Sequence, residues 1–166
     1  IGQSVEEVFD TDVRTEIEEY CMANAITFEW QSDGSLRTWQ RREAVALHPG
    51  TGQRSWFNQI AFLNEWTMKP EVRDFLVGMY GEDGLPFTTR FGNGDPIRED
   101  VVALINDAYD ANSISTPWQP GDLLVVDNIR MAHSREPYTG DRQVLVSLAN
   151  PTRVANASLL ATARAD

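Results

Sequence analysis

The spacing of apolar and polar residues along the chain predicts many short strands and a few helices. Helical spacing of apolar residues predicts helices over residues 10–23 and 97–111, and a proline suited to a first turn predicts another over residues 70–80. Short apolar and aromatic runs bounded by turn residues predict strands at residues 26–30, 36–40, 43–47, 55–62, 88–91, 122–127 and 142–150. This pattern favours a mainly β fold of the α+β class, antiparallel and with flanking helices.

Composition and charge narrow the class of protein. The chain has 166 residues, 42% of them hydrophobic, which is enough for one globular domain with a core. Its formal net charge of -11 disfavours binding to nucleic acid or to an anionic membrane, because Lys and Arg drive both. No apolar run approaches the ~20 residues of a membrane span. Cys21 is the only cysteine, which excludes an intrachain disulfide and favours a reducing, cytoplasmic compartment.

The segment between the last two predicted strands carries the residues of most chemical interest. His133 follows the strand at residues 122–127, and a histidine at a strand end is either a transition-metal ligand or a residue bonded to a loop carbonyl. Arg142 begins the next strand and is either a surface residue or, if buried, a bidentate receptor for a carboxylate. A metal ligand beside a carboxylate receptor would suit a small dicarboxylate that chelates the metal.

Three motifs, taken together and in order, resemble one known family. WQPGDLLVVDNIRMAHSREPYTGDRQVLV covers residues 118–146, HPGTGQRSWFNQ covers residues 48–59, and RFGNGDPI covers residues 90–97. They are similar to the corresponding regions of the TauD/TfdA-like Fe(II)- and 2-oxoglutarate-dependent dioxygenases, including the clavaminate synthase-like and SyrP-like branches. The matches run from about Trp30 to Leu148, which is most of the chain.

The resemblance implies a fold, two cofactors and roles for two residues. The fold would be a double-stranded β-helix, or jelly roll, and the cofactors would be Fe(II) and 2-oxoglutarate. His133 would be the distal histidine of the 2-His-1-carboxylate triad expected for non-haem iron oxygenases. Arg142 would bind the distal carboxylate of 2-oxoglutarate. The implied reaction consumes O2 and hydroxylates a small-molecule or carrier-tethered substrate in natural-product biosynthesis.

Two further residues are candidates for contact with the substrate. Asn58, on the strand after the HPGTG turn, either faces the substrate pocket or bonds to backbone as a strand-end amide. Arg135, two residues after His133, is a candidate substrate contact, although an exposed loop arginine is the favoured interpretation. Some branches of the family bind an acid group of the substrate with a second arginine, four residues after the cosubstrate arginine. That position is Val146 here, which disfavours a free carboxylate substrate.

Two of the three ligands of the implied iron triad have no match in the chain. The family takes its other histidine and its carboxylate from an upstream His-x-Asp/Glu motif, whereas His48, the only other histidine, belongs to the HPGTG turn and is interpreted as a turn residue. The family's upstream Gly-Gly-x-Thr region, whose threonine helps to hold 2-oxoglutarate, also has no match. We therefore expect residues 1–166 to be the C-terminal portion of a single oxygenase domain, with an incomplete jelly roll.

Two alternatives to hydroxylation stay open at this stage. In an iron-dependent halogenase of the same family, a small residue would replace the triad carboxylate so that chloride can bind the iron. A non-catalytic jelly-roll module would bind its ligand without iron or 2-oxoglutarate.

Overall fold

The computed structural model describes residues 4–152 and 155–156, and the chain divides into two compact units. The first unit combines Ile1–Arg42 with Gln59–Ile114, and the remaining residues form the second unit. Both units therefore bring together stretches that are distant in the sequence. No helix in the described part of the chain is long and apolar enough to cross a membrane.

Helices and one hairpin form the first unit. Its helices are α1 (Val5–Phe9), α2 (Arg14–Ala23), α3 (Pro70–Tyr80) and α4 (Glu99–Ala111). Strands β1 (Ile26–Trp30) and β2 (Leu36–Gln40) pair antiparallel, with Ile26 opposite Gln40 and Trp30 opposite Leu36. The buried apolar side chains of this unit are Ile17, Cys21, Ala61, Leu76, Ile97 and Val102.

The hairpin between β1 and β2 is closed by a turn that the sequence supplies locally. Asp33 Oδ1 accepts hydrogen bonds from the backbone N–H of Ser35 at 2.9 Å and from its hydroxyl at 2.7 Å. Gly34 has φ +86°, a left-handed conformation that glycine adopts without steric cost. The backbone N–H of Gln31 donates to the Ser35 carbonyl at 2.8 Å, which completes the turn. The sequence SDGS, residues 32–35, thus forms the turn from its own side chains and backbone.

A buried asparagine organises the loops of the first unit. Asn64 is 1% exposed, and its Nδ2 donates to the Thr89 carbonyl at 3.2 Å while its Oδ1 accepts from the Trp66 N–H at 3.0 Å. Trp66 Nε1 in turn donates to the Ile97 carbonyl at 3.1 Å. Buried polar groups are costly without partners, and these bonds satisfy the amide while they fix three loop segments.

A small three-stranded sheet forms the regular part of the second unit, which contains residues 43–58 and 115–166. Strand β3 (Val45–Leu47) lies between β4 (Arg54–Trp56) and β5 (Ala155–Asn156) and is antiparallel to both. Ala46, at the centre of β3, is buried. The turn between β3 and β4 holds the HPGTG motif.

Two of the strands predicted in the second unit do not form. Residues 115–152 contain no strand, so the predictions at residues 122–127 and 142–150 are wrong for this structure. A strand requires a neighbouring strand for its backbone hydrogen bonds, and the described residues provide none here. Several apolar side chains of these segments are at least 80% exposed: Leu123, Val125, Leu145, Val146 and Leu148.

Two other strand predictions need smaller corrections. The strand predicted over residues 55–62 reaches only Trp56, because Gln59 begins a turn in which its carbonyl accepts from the N–H groups of Phe62 and Leu63. The strand predicted over residues 88–91 is reduced to a single bridge between Arg90 and Pro96. The described residues thus form a mixed helix and strand structure with small sheets, in which more residues are helical than extended.

Candidate functional site

The HPGTG turn fixes the side chain of His48. Its Nδ1 accepts hydrogen bonds from the backbone N–H groups of Gly50 at 3.2 Å and Thr51 at 3.0 Å, and lies 3.1 Å from Thr51 Oγ1. The backbone closes the same turn, since the Gly52 N–H donates to the His48 carbonyl at 2.8 Å. Gly52 has φ +68°, which favours glycine at this position. The structure confirms His48 as a turn residue.

The other ring nitrogen of His48 contacts the segment that leads to His133. His48 Nε2 lies 3.0 Å from Asp127 Oδ2, and the His48 side chain is only 16% exposed. Because two backbone N–H groups donate to Nδ1, the ring proton belongs on Nε2, which donates to the carboxylate. Both nitrogens of His48 are therefore occupied by protein contacts.

Asp127 organises the residues that follow it. Its Oδ1 accepts from the Ile129 N–H at 3.1 Å, and its carbonyl accepts from the N–H groups of Arg130 at 3.1 Å and Met131 at 3.0 Å. An aspartate that binds its own downstream backbone is the usual Asx turn. Asp127 thus forms a turn, and its contact with His48 was not predicted. That contact joins two turns that are far apart in the sequence, and the pattern of a single sequence contains no signal for it.

His133 and Arg142 lie in the irregular part of the second unit. Both side chains are exposed. His133 makes no hydrogen bond or ion pair with the described residues. The Arg142 guanidinium stacks over the Tyr138 ring at 5.1 Å from its centroid. Arg142 is therefore not a buried carboxylate receptor in this conformation, and its role in binding 2-oxoglutarate stays a prediction.

The two candidate substrate residues occupy different environments. Asn58 is half-buried, and its Nδ2 donates to the Ala44 carbonyl at 2.9 Å, as expected for a strand-end amide bonded to backbone. Arg135 is exposed in the loop after His133. No hydrogen bond, ion pair or ring contact joins His133, Arg135 and Arg142 to one another within the part of the chain that the structure describes. Contact of Asn58 or Arg135 with a substrate stays a prediction.

The described residues do not form a complete iron site. Residues 4–152 and 155–156 bring together no group of three or more His, Cys, Asp or Glu side chains that could hold one metal ion. His133 fits as a single imidazole donor, whereas an iron triad needs a second histidine and a carboxylate. Metal binding through these residues alone is therefore not supported, and the rest of a ligand set would have to come from elsewhere.

Comparison with known proteins identifies relatives over most of the chain. The model of the family described as "Taurine catabolism dioxygenase TauD, TfdA family" matches residues 4–148. The dapdiamide synthesis protein DdaC of Enterobacter agglomerans is 40% identical over 148 residues, which cover 89% of this chain and 45% of that protein. A clavaminate synthase-like protein of Arabidopsis thaliana is 28% identical over 150 residues, covering 89% of this chain and 42% of that protein.

A third relative matches a shorter stretch. Clavaminate synthase 2 of Streptomyces clavuligerus is 31% identical over 65 residues, which cover 37% of this chain and 20% of that protein. The chain thus spans less than half the length of the curated relatives that it matches.

Proposed function

The chain belongs to the TauD/TfdA family, and from this premise we propose that it is part of a non-haem Fe(II)- and 2-oxoglutarate-dependent dioxygenase. The observation that carries the proposal is the family match over residues 4–148, which includes all three motifs. In this proposal residues 1–166 are the C-terminal portion of a single oxygenase domain. Less than half of each matched relative is covered by the chain, which is consistent with a site that extends beyond the described residues.

The proposed fold of that domain is a double-stranded β-helix. The exposed apolar residues between Leu123 and Leu148 support it, because strands of a jelly roll bury one face and pair along both edges. A contiguous exposed apolar segment in a folded protein usually marks a surface that another element covers. We propose that residues 122–127 and 142–150 become strands when neighbouring strands of the complete domain pair with them.

His133 and Arg142 have the proposed roles of iron ligand and cosubstrate receptor. The His133 imidazole is exposed and has no hydrogen-bond or ion-pair partner among the described residues, so it can supply a nitrogen ligand. The Arg142 guanidinium presents a planar fork that matches a carboxylate. When bound, iron and 2-oxoglutarate would supply the oxidising power for attack on a C–H bond with O2. The protein would orient the substrate and exclude water from it.

The proposed substrate is a small molecule or a carrier-tethered residue in natural-product biosynthesis. The relative that is 40% identical is a dapdiamide synthesis protein, and this likeness supports biosynthetic chemistry. Val146 stands four residues after Arg142, where a second arginine would bind an acid group of a free substrate, and this favours a tethered one. Asn58 and Arg135 are the proposed substrate contacts, and hydroxylation is the proposed outcome.

A kinetic experiment on the full-length protein tests these roles. In the wild type we expect Fe(II)-dependent conversion of 2-oxoglutarate to succinate. His133→Ala should abolish this activity, and Arg142→Ala should need a much higher 2-oxoglutarate concentration than the wild type. The exposed Arg130→Ala in the same segment is the matched control and should behave as wild type. Wild-type kinetics in both His133→Ala and Arg142→Ala would overturn the assignment.

Product mass separates the remaining alternatives. A gain of one oxygen atom by the substrate indicates hydroxylation, whereas a chlorine atom that appears only when chloride is added indicates the halogenase alternative. Ligand binding by calorimetry without iron or 2-oxoglutarate, together with no turnover, would favour the non-catalytic binding module.

A further inference from the structure

We propose that His48 and Asp127 form a fixed link that positions the segment carrying His133, so that His48 is a positioning residue of the site. The inference rests on the proposed function, because His133 matters here as the proposed iron ligand. The link itself consists of the 3.0 Å contact between His48 Nε2 and Asp127 Oδ2. Neither residue contacts the metal in this proposal.

The first part of the argument is that His48 is held rigidly. Its Nδ1 accepts from two backbone N–H groups of its own turn, those of Gly50 and Thr51. The turn is closed further by backbone bonds between His48 and Gln53 at 2.8 Å and from Gly52 to His48 at 2.8 Å. A ring tied at one nitrogen to a closed turn can point its other nitrogen in only one direction. His48 Nε2 therefore offers Asp127 a donor of fixed position.

The second part is that Asp127 transmits this position along the chain. Its carboxylate uses one oxygen for His48 and the other for the Ile129 N–H, while its carbonyl holds the N–H groups of Arg130 and Met131. One residue thus fixes a turn that ends two residues before His133. Hydrogen bonds to a charged carboxylate are stronger than those between neutral groups.

The third part is that the segment has no comparable polar contact elsewhere. Among the described residues, no other hydrogen bond or ion pair connects residues 123–142 to the remainder of the second unit. The Arg142–Tyr138 stacking lies within the segment itself. The polar contacts that orient the chain before His133 are therefore those of the His48–Asp127 pair and of the turn that Asp127 forms.

Two substitutions of His48 separate this role from a local role in the turn. In His48→Asn, the side-chain oxygen takes the place of the His48 Nδ1 acceptor, but the side chain is too short to reach Asp127. This variant therefore keeps the turn and breaks the link. Gln places its side-chain amide where Nε2 donates, so His48→Gln keeps the link and loses the turn acceptor. Asp127→Asn breaks the link from the other side and keeps an oxygen for Ile129. Asp127→Asn therefore provides a second test of the link if His48→Asn does not fold.

Amide hydrogen exchange in the full-length protein tests the link without reference to a metal. We expect His48→Asn and Asp127→Asn to speed exchange at Ile129, Arg130 and Met131 by at least about fivefold, as for loss of one strong hydrogen bond. His48→Gln should instead speed exchange at Gly50 and Thr51 only. Unchanged exchange at residues 129–131 in both link-breaking variants would overturn the proposal.

Titration of the full-length protein with Co(II) alone, followed by visible absorption, tests the consequence for the site. We expect about tenfold weaker Co(II) binding in His48→Asn, the low end of the losses seen when a group that orients a metal ligand is removed, and rescue to within about twofold of wild type in His48→Gln. Equal Co(II) affinity in wild type and His48→Asn would overturn the positioning role. Wild-type protein that binds no Co(II) would overturn the proposed iron site, while the exchange experiment still decides whether the link exists.

Discussion

Trp30 Nε1 donates a hydrogen bond to Glu18 Oε1 at 2.8 Å and so joins β1 to α2. The Arg14 guanidinium bonds the same carboxylate oxygen at 3.0 Å and lies 4.5 Å from the centre of the Trp30 ring. The three side chains form one contact between the hairpin and the helix that carries the buried residues Ile17 and Cys21.

Removal of the Glu18 carboxylate should weaken this contact. Glu18→Ala leaves the half-buried Trp30 N–H without its acceptor, and we expect a loss of about 1 kcal/mol in the free energy of unfolding. Glu18→Gln is the matched control: it keeps an acceptor oxygen and loses only an exposed ion pair, which is worth little. Urea unfolding followed by tryptophan fluorescence measures both, and equal losses in the two variants would contradict the account.

Cys21 should be unreactive in the folded protein. Its side chain is fully buried, and burial raises the pKa of the thiol, with a further increase from the neighbouring Glu18 carboxylate. Since only the thiolate is nucleophilic, we expect alkylation by iodoacetamide at pH 8 to be at least about tenfold slower than in urea-unfolded protein. Mass spectrometry follows the reaction. Equal rates in folded and unfolded protein would show that the Cys21 thiol is accessible to the reagent in the folded protein and would contradict the prediction.

The Asp33 turn should make the hairpin sensitive to acid. Hydrogen bonds from the Ser35 hydroxyl and then from the Ser35 N–H lower the pKa of Asp33 below its ordinary value of 3.8. A carboxyl whose folded-state pKa is lowered stabilises the fold above its unfolded pKa, and this contribution is lost as the pH falls through the folded pKa. Chemical-shift titration of Asp33 should give a midpoint below 3.8 in wild type and a higher midpoint in Ser35→Ala. Identical midpoints would contradict this cause.

The elements that the sequence predicts correctly are those that depend on nearby residues. The predicted helix at residues 70–80 matches α3, because Pro70 occupies its first turn. The β1–β2 hairpin forms because its turn and both strands are contiguous in the chain. Helix α1 was not predicted. Its start carries a local signal, a capping box in which the side chains of Ser4 and Glu7 each accept a hydrogen bond from the other's backbone N–H.

The predictions that fail depend on partners distant in the sequence. Apolar runs such as residues 122–127 have the composition of strands, but a strand exists only where another strand pairs with it. The helix predicted from residue 10 begins at Arg14, since Asp10 adopts a left-handed conformation that ends α1. The His48–Asp127 contact likewise depends on the fold, because neither turn motif specifies the other.

Metal-dependent binding of 2-oxoglutarate is the most direct test of the central claim. Anaerobic calorimetry on the full-length protein measures 2-oxoglutarate binding with and without Fe(II). The account predicts binding that requires Fe(II), is abolished in His133→Ala and is weakened at least about tenfold in Arg142→Ala, because the charge-assisted pair between the guanidinium and the distal carboxylate is lost. Absence of binding in wild type, or binding that is unchanged without Fe(II) and in both variants, would contradict it.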